Sequence, residues 1–85
     1  MTAEERVTNA GYEDVLLLSD YSYDDALIGI TEDNRAVYDY DKMVEWLVAN
    51  TAMDDAEAAE WIAYKTIWAI EYAGSKAPII MYRLD

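Results

Sequence analysis

Ala26-Leu27-Ile28-Gly29-Ile30-Thr31-Glu32-Asp33-Asn34-Arg35-Ala36-Val37-Tyr38-Asp39-Tyr40 places two apolar, β-prone runs on either side of a short polar segment. Asp33 and Asn34 tolerate positive φ better than most residues, so the segment predicts a tight turn and the flanks predict a β-hairpin. A two-residue or a four-residue loop gives the same pairing, with Thr31 opposite Ala36. Tyr38 then lies opposite Gly29, where its ring covers the bare glycine. Ile28, Ile30 and Val37 share the other face.

Toward the C-terminus, Asp39 or Asp41 is placed to cap a helix from Lys42 to about Asn50. Asp54-Asp55-Ala56-Glu57 opens a longer helix that runs to about Tyr72. Gly74 stops it and Pro78 lies beyond. Ile79 to Arg83 reads as a last strand. Toward the N-terminus, Val15-Leu16-Leu17-Leu18 is an apolar run bounded by polar residues, which predicts a buried strand. Thr2 and Glu5 have capping-box spacing, which predicts a helix from Ala3 to Ala10 ending at Gly11. The order α-β-β-β-α-α-β predicts one α+β domain over residues 1–85, a small, mainly antiparallel four-stranded sheet with two or three helices on one face. Glu45-Trp46-Leu47 and Glu60-Trp61-Ile62 echo each other, at a spacing too short for a repeat array.

Composition narrows the chemistry. The chain has no cysteine and no histidine, which removes disulfides, thiolate ligands and the usual general base. Its three glycines, Gly11, Gly29 and Gly74, are scattered, so no phosphate-cradling loop or dinucleotide fingerprint exists. Paired carboxylates alone can run acid–base chemistry, but so short a chain offers little depth for the dry pocket that separates their pKa values. No enzyme and no cofactor are expected. Eighteen acids against six bases give a net charge of −12, which works against nucleic acid and anionic membrane and favours basic partners. No apolar run has the length of a membrane span. The acidic start Met1-Thr2-Ala3-Glu4-Glu5-Arg6-Val7 lacks the basic region of a signal peptide, so a cytoplasmic location is expected.

Three sets of residues are candidates for function. Ten carboxylates between Glu13 and Glu45 face only Arg35 and Lys42, and are interleaved with tyrosines. In extended chain, carboxylates two residues apart lie roughly 6–7 Å from one another, comparable to the phosphate spacing of a nucleic-acid strand. Asp24, Asp25, Glu32, Asp33, Asp39 and Asp41 are therefore candidate phosphate surrogates, with Tyr21 and Tyr23 supplying contact area; solvated surface and helix caps are the plainer explanation. On the long helix, Ala59, Ile62, Ala63, Thr66, Ile67 and Ile70 form the core stripe, and Trp61, Tyr64, Trp68 and Tyr72 form a second, aromatic one. That second stripe is either core or an interface, for an assembly or adaptor partner or for a homodimer. Asp20, Asp24 and Asp25, or Asp39 with Asp41, have oxygens for calcium or magnesium, but the glycine and final glutamate of a calcium loop are missing.

Tyr38-Asp39-Tyr40-Asp41-Lys42-Met43-Val44-Glu45-Trp46-Leu47, Glu57-Ala58-Ala59-Glu60-Trp61-Ile62 and Ala77-Pro78-Ile79-Ile80-Met81-Tyr82 resemble short, uncharacterised acidic proteins encoded by phages and mobile elements of gut bacteria. The resemblance runs from about Tyr12 onward and carries no known active site. It departs at Lys65, Trp68 and Glu71, where those proteins tend to have Asn, Arg and Pro. By class analogy the resemblance implies an inhibitor of host defence of the anti-CRISPR or anti-restriction kind, several of which imitate DNA. The expectation is a DNA mimic acting in the bacterial host cell, where it would block the basic nucleic-acid-binding surface of a host protein.

Overall fold

The turn of the hairpin is made by Glu32, Asp33 and Asn34. In the computed structural model, which describes residues 1–84, Thr31 and Arg35 close the loop through the Thr31 N–H, which donates to the Arg35 carbonyl at 2.8 Å. The Asn34 N–H donates back to the Thr31 carbonyl at 3.0 Å, and Asn34 sits at φ 64°. This is a three-residue loop in which a turn is followed by a left-handed residue. The odd length overturns the expected register: Ile30 pairs with Ala36 and Gly29 with Val37. A bulge then leaves Leu27, not Gly29, opposite Tyr38. A one-residue slip exchanges the faces of a strand. Tyr38 is accordingly fully buried instead of lying over Gly29, and Ile28, beside the bulge, is 42% exposed.

β1 (Leu27–Ile30) and β2 (Ala36–Asp39) are antiparallel, and β3 (Ile79–Met81) joins β2 on its other side in parallel. The sheet is thus three-stranded and mixed, in the order β1-β2-β3, not four-stranded and mainly antiparallel. β2 leads into helices and the chain returns as β3, and a crossover of that kind delivers a parallel neighbour. Val15–Leu18 contributes no strand. Asp14 breaks the backbone at φ 58°, and the Leu18 N–H is spent on the Tyr38 hydroxyl at 3.2 Å rather than on a ladder. Val15, Leu17 and Leu18 pack on the core from a loop.

The helix ends follow the capping chemistry. α1 (Ala3–Asn9) has the complete Thr2–Glu5 capping box. It ends with Gly11 at φ 88°, where the Gly11 and Tyr12 N–H groups donate to the Thr8 and Val7 carbonyls. α2 (Tyr40–Asn50) is capped by Asp39, whose carboxylate accepts from the Lys42 N–H. α3 (Asp55–Trp61) carries a second capping box, Asp54 with Glu57. The predicted single long helix is interrupted: Ile62–Thr66 is a π-helical turn, and α4 (Ile67–Glu71) follows it.

One hydrophobic cluster holds these elements. Ala3 and Val7 of α1, Met43 and Leu47 of α2, Ala58 of α3 and Ile62 of the π-turn meet Leu27, Ala36 and Tyr38 of the sheet. Ile80 is packed against the same cluster. Val37 and Ile79, paired one step along the strands, therefore face the opposite side.

Candidate functional site

The π-turn explains the largest departure from the expected helix faces. In an α-helix, residues five apart are turned about 140° from each other. Wider i→i+5 winding brings them within roughly 50°. Trp61 and Thr66 thereby reach the same carboxylate, Asp20. The Trp61 indole Nε1–H donates to Asp20 Oδ2 at 2.9 Å, and the Thr66 hydroxyl donates to the same oxygen. The Tyr23 hydroxyl is a third donor to it, at 3.2 Å, and lies 2.9 Å from the Thr66 hydroxyl. Tyr23 holds this position at φ 45°, which is rare for a bulky residue, and its side chain is fully buried. Burial pushes its phenol well above the ordinary value of 10.0, and does the same, less strongly, for Tyr38.

Aromatic rings complete this interior. Tyr21 lies 5.4 Å from Trp61 and 5.9 Å from Trp46, so the two echoing tryptophans converge on one ring. Tyr23 packs edge-on against Tyr21 and Tyr38. Tyr21 and Tyr23 are therefore in or against the core, away from any acidic surface array, and Trp61 turns inward with them. Ala63, expected in the core stripe, is exposed.

The rest of the aromatic stripe faces solvent. Tyr64 is 72% exposed, Trp68 59% and Tyr72 73%, and the Trp68 and Tyr72 rings stand 4.6 Å apart. Spaced four residues apart, the three form a row on one side of the rod. Exposed Glu57, Glu60 and Glu71 accompany them along the rod, with Lys65 as its one base. Beside α4 runs a groove of about 210 Å³, in which Leu16, Leu17 and Leu18 face Ala69, Ile70 and Ala73. Asp20 and Pro78 also line it.

The six nominated carboxylates are not one array. Asp39 is 4% exposed and occupied: Oδ1 accepts from the Lys42 N–H at 3.3 Å and Oδ2 from the Arg83 Nε–H at 2.6 Å. Burial raises its pKa, but the Arg83 guanidinium and the Lys42 N–H outweigh this and hold it below the ordinary 3.8. Asp24 is half-buried and accepts from the Ala3 N–H at 2.8 Å. Asp41, Asp25, Glu32 and Asp33 are exposed. Thr31 donates to the Asp33 carboxylate and keeps its pKa low, while Lys76 donates to the Asp33 carbonyl. Glu32 and Asp33 sit at the hairpin turn, and Asp25 and Asp41 flank its open end. Four-residue strands separate the two pairs by roughly 13 Å. Among the described residues no group of three or more acids is gathered that could hold a metal ion, and no helix is long and apolar enough to cross a membrane.

Asp20 and Thr66 were visible in the sequence only as a possible metal oxygen and a member of an apolar stripe. A hydroxyl in the middle of that stripe was the available signal, because a buried threonine needs a partner. No protein-family model, curated protein or solved structure matches the chain.

Proposed function

We propose that the protein is a non-catalytic binding module that engages a basic protein through the row of Tyr64, Trp68 and Tyr72, which runs from the π-turn along α4 to its C-cap. The exposure of these three rings in one row is the observation that carries this reading. Tyrosine and tryptophan dominate interface hot spots, and apolar side chains gathered in one exposed row mark binding surfaces. The interior is already filled by Tyr21, Tyr23, Trp46 and Trp61, so the row is surplus to the core. The net charge of −12 opposes pairing with a second copy and attracts a cationic partner.

A phosphate decoy built on the hairpin is the second reading, favoured by the exposure of Asp25, Glu32, Asp33 and Asp41. Its partner would be a basic, nucleic-acid-binding protein of a bacterial host, as the sequence resemblance implies. It has less support, because Asp39 and Asp41 both lie within ion-pair distance of Arg83, Thr31 donates to Asp33, and the four exposed carboxylates fall in two groups at opposite ends of the hairpin.

Affinity capture from a bacterial lysate at low salt separates the two. Two variants are compared with the parent, Trp68→Ala/Tyr72→Ala and Asp25→Asn/Glu32→Gln/Asp33→Asn/Asp41→Asn. The aromatic variant should lose the captured partner, since hot-spot truncation costs ~2 kcal/mol or more, about thirtyfold in affinity. The neutralised hairpin should retain most of it. The reverse pattern establishes the decoy and refutes the aromatic surface.

A further inference from the structure

We infer that the groove between the Leu16–Asp20 loop and α4 is a socket for one lysine or arginine side chain of the partner, with Asp20 receiving the cationic head. The inference rests on the proposed basic partner and specifies how that partner is recognised beside the aromatic row. The groove's volume, about 210 Å³, is below the usual range for small-molecule pockets and is suited to a single side chain. Apart from Ser19 and Asp20 its walls are leucine, alanine, isoleucine and proline, which suits the methylene stem of a long basic residue. One carboxylate lines it. All three interior donors converge on Oδ2 of Asp20, and no described protein donor reaches Oδ1. The three bonds fix the carboxylate in place, so the free oxygen is pre-positioned for an ammonium or guanidinium donor. A neutral apolar side chain would gain the walls alone. An acidic one would meet Asp20 and the surrounding negative field.

The test uses hexylammonium as a probe of stem and head, with hexan-1-ol as its neutral counterpart, titrated into the 15N-labelled chain and followed by amide chemical shifts. Hexylammonium should saturate shifts at Leu17–Asp20 and Ala69–Ala73 with at least fivefold higher affinity than hexan-1-ol. Asp20→Asn, which still offers an acceptor to the three donors, should bring the two affinities together. General attraction to the acidic chain would survive that substitution, so convergence isolates Asp20. Should Asp20→Asn lose its dispersed spectrum, Ala69→Leu is the second variant; filling the groove should abolish the saturable shifts for both probes. Equal affinities in the parent, or shifts confined to other surfaces, overturn the socket. The Trp68→Ala/Tyr72→Ala capture experiment reads the aromatic row separately: a lost partner without amine preference removes the socket alone. Amine preference with capture unchanged removes the aromatic surface alone.

Discussion

Replacing Asp20 by alanine should cost about 2–4 kcal/mol of stability, and the geometry says why it is not more. Oδ2 serves Tyr23, Trp61 and Thr66, and an unsatisfied buried polar group costs roughly 1–3 kcal/mol. The Tyr23 and Thr66 hydroxyls, 2.9 Å apart, still satisfy one donor between them when Asp20 is gone. The half-buried Trp61 N–H can reach water at reduced cost. One orphaned hydroxyl and one weakened indole remain, with the charge assistance of the carboxylate lost. An 85-residue domain has only about 4–13 kcal/mol in total, so the loss is a large share. Urea unfolding followed by tryptophan fluorescence should show the midpoint falling by roughly 1–3 M at the slope usual for small proteins. Asp20→Asn should lose only about half as much. In the cycle of Asp20→Ala with Thr66→Val, the two losses should be clearly non-additive. A midpoint for Asp20→Ala within the equivalent of about 0.5 kcal/mol of the parent, or strictly additive losses, would refute the account of the π-turn as organised around this carboxylate.

Asn34 at φ 64° makes the hairpin loop, so Asn34→Ala should lose about 1 kcal/mol in the same assay while Asn34→Gly should not. Asp39 has a folded pKa below its ordinary 3.8, so its contribution is complete above the ordinary carboxylate range and is lost as pH falls through the lowered value. The stability gap between the parent and Asp39→Asn should therefore be wide at pH 7 and close in acid, measured by urea midpoints at each pH. Tyr23 and Tyr38 are raised above 10.0, so the stability they confer holds below pH 10 and fades as pH rises beyond it. Phenolate absorbance should show both ionising only as the fold is lost. Trp68→Ala should change the unfolding midpoint far less than Trp46→Ala, because Trp68 is exposed whereas Trp46 packs 5.6 Å from Tyr23.

What was legible in the sequence is what local chemistry determines. Thr2 with Glu5, Asp54 with Glu57, and Gly11 each act within one turn of chain, and each helix end follows them. The hairpin was legible as a hairpin, but its register depends on whether the loop is odd or even. Asp33-Asn34 suits either, and only the left-handed Asn34 inside a three-residue loop reveals which. Val15–Leu18 shows the limit of an apolar run: Val15, Leu17 and Leu18 pack partly buried on the core but Leu16 is exposed, and the Leu18 N–H goes to the Tyr38 hydroxyl, twenty residues away in sequence. The π-turn has no marker in spacing. It follows from Trp61 and Thr66 both seeking Asp20, a contact spanning more than forty positions. The parallel placement of β3 is likewise a product of the helices between, not of its own residues.

That last strand has a consequence for how the protein is made. β2 is the middle of the sheet, yet one of its two neighbours leaves the ribosome roughly forty residues later, since Val37 must wait for Ile79. Arg83, which closes over Asp39, emerges later still. Until then the nascent chain holds a two-stranded ribbon with one flank bare, the kind of intermediate that quality-control proteases and neighbouring polysomes find first. Any delay between the synthesis of β2 and that of β3 should therefore lengthen the time for which that flank stays open.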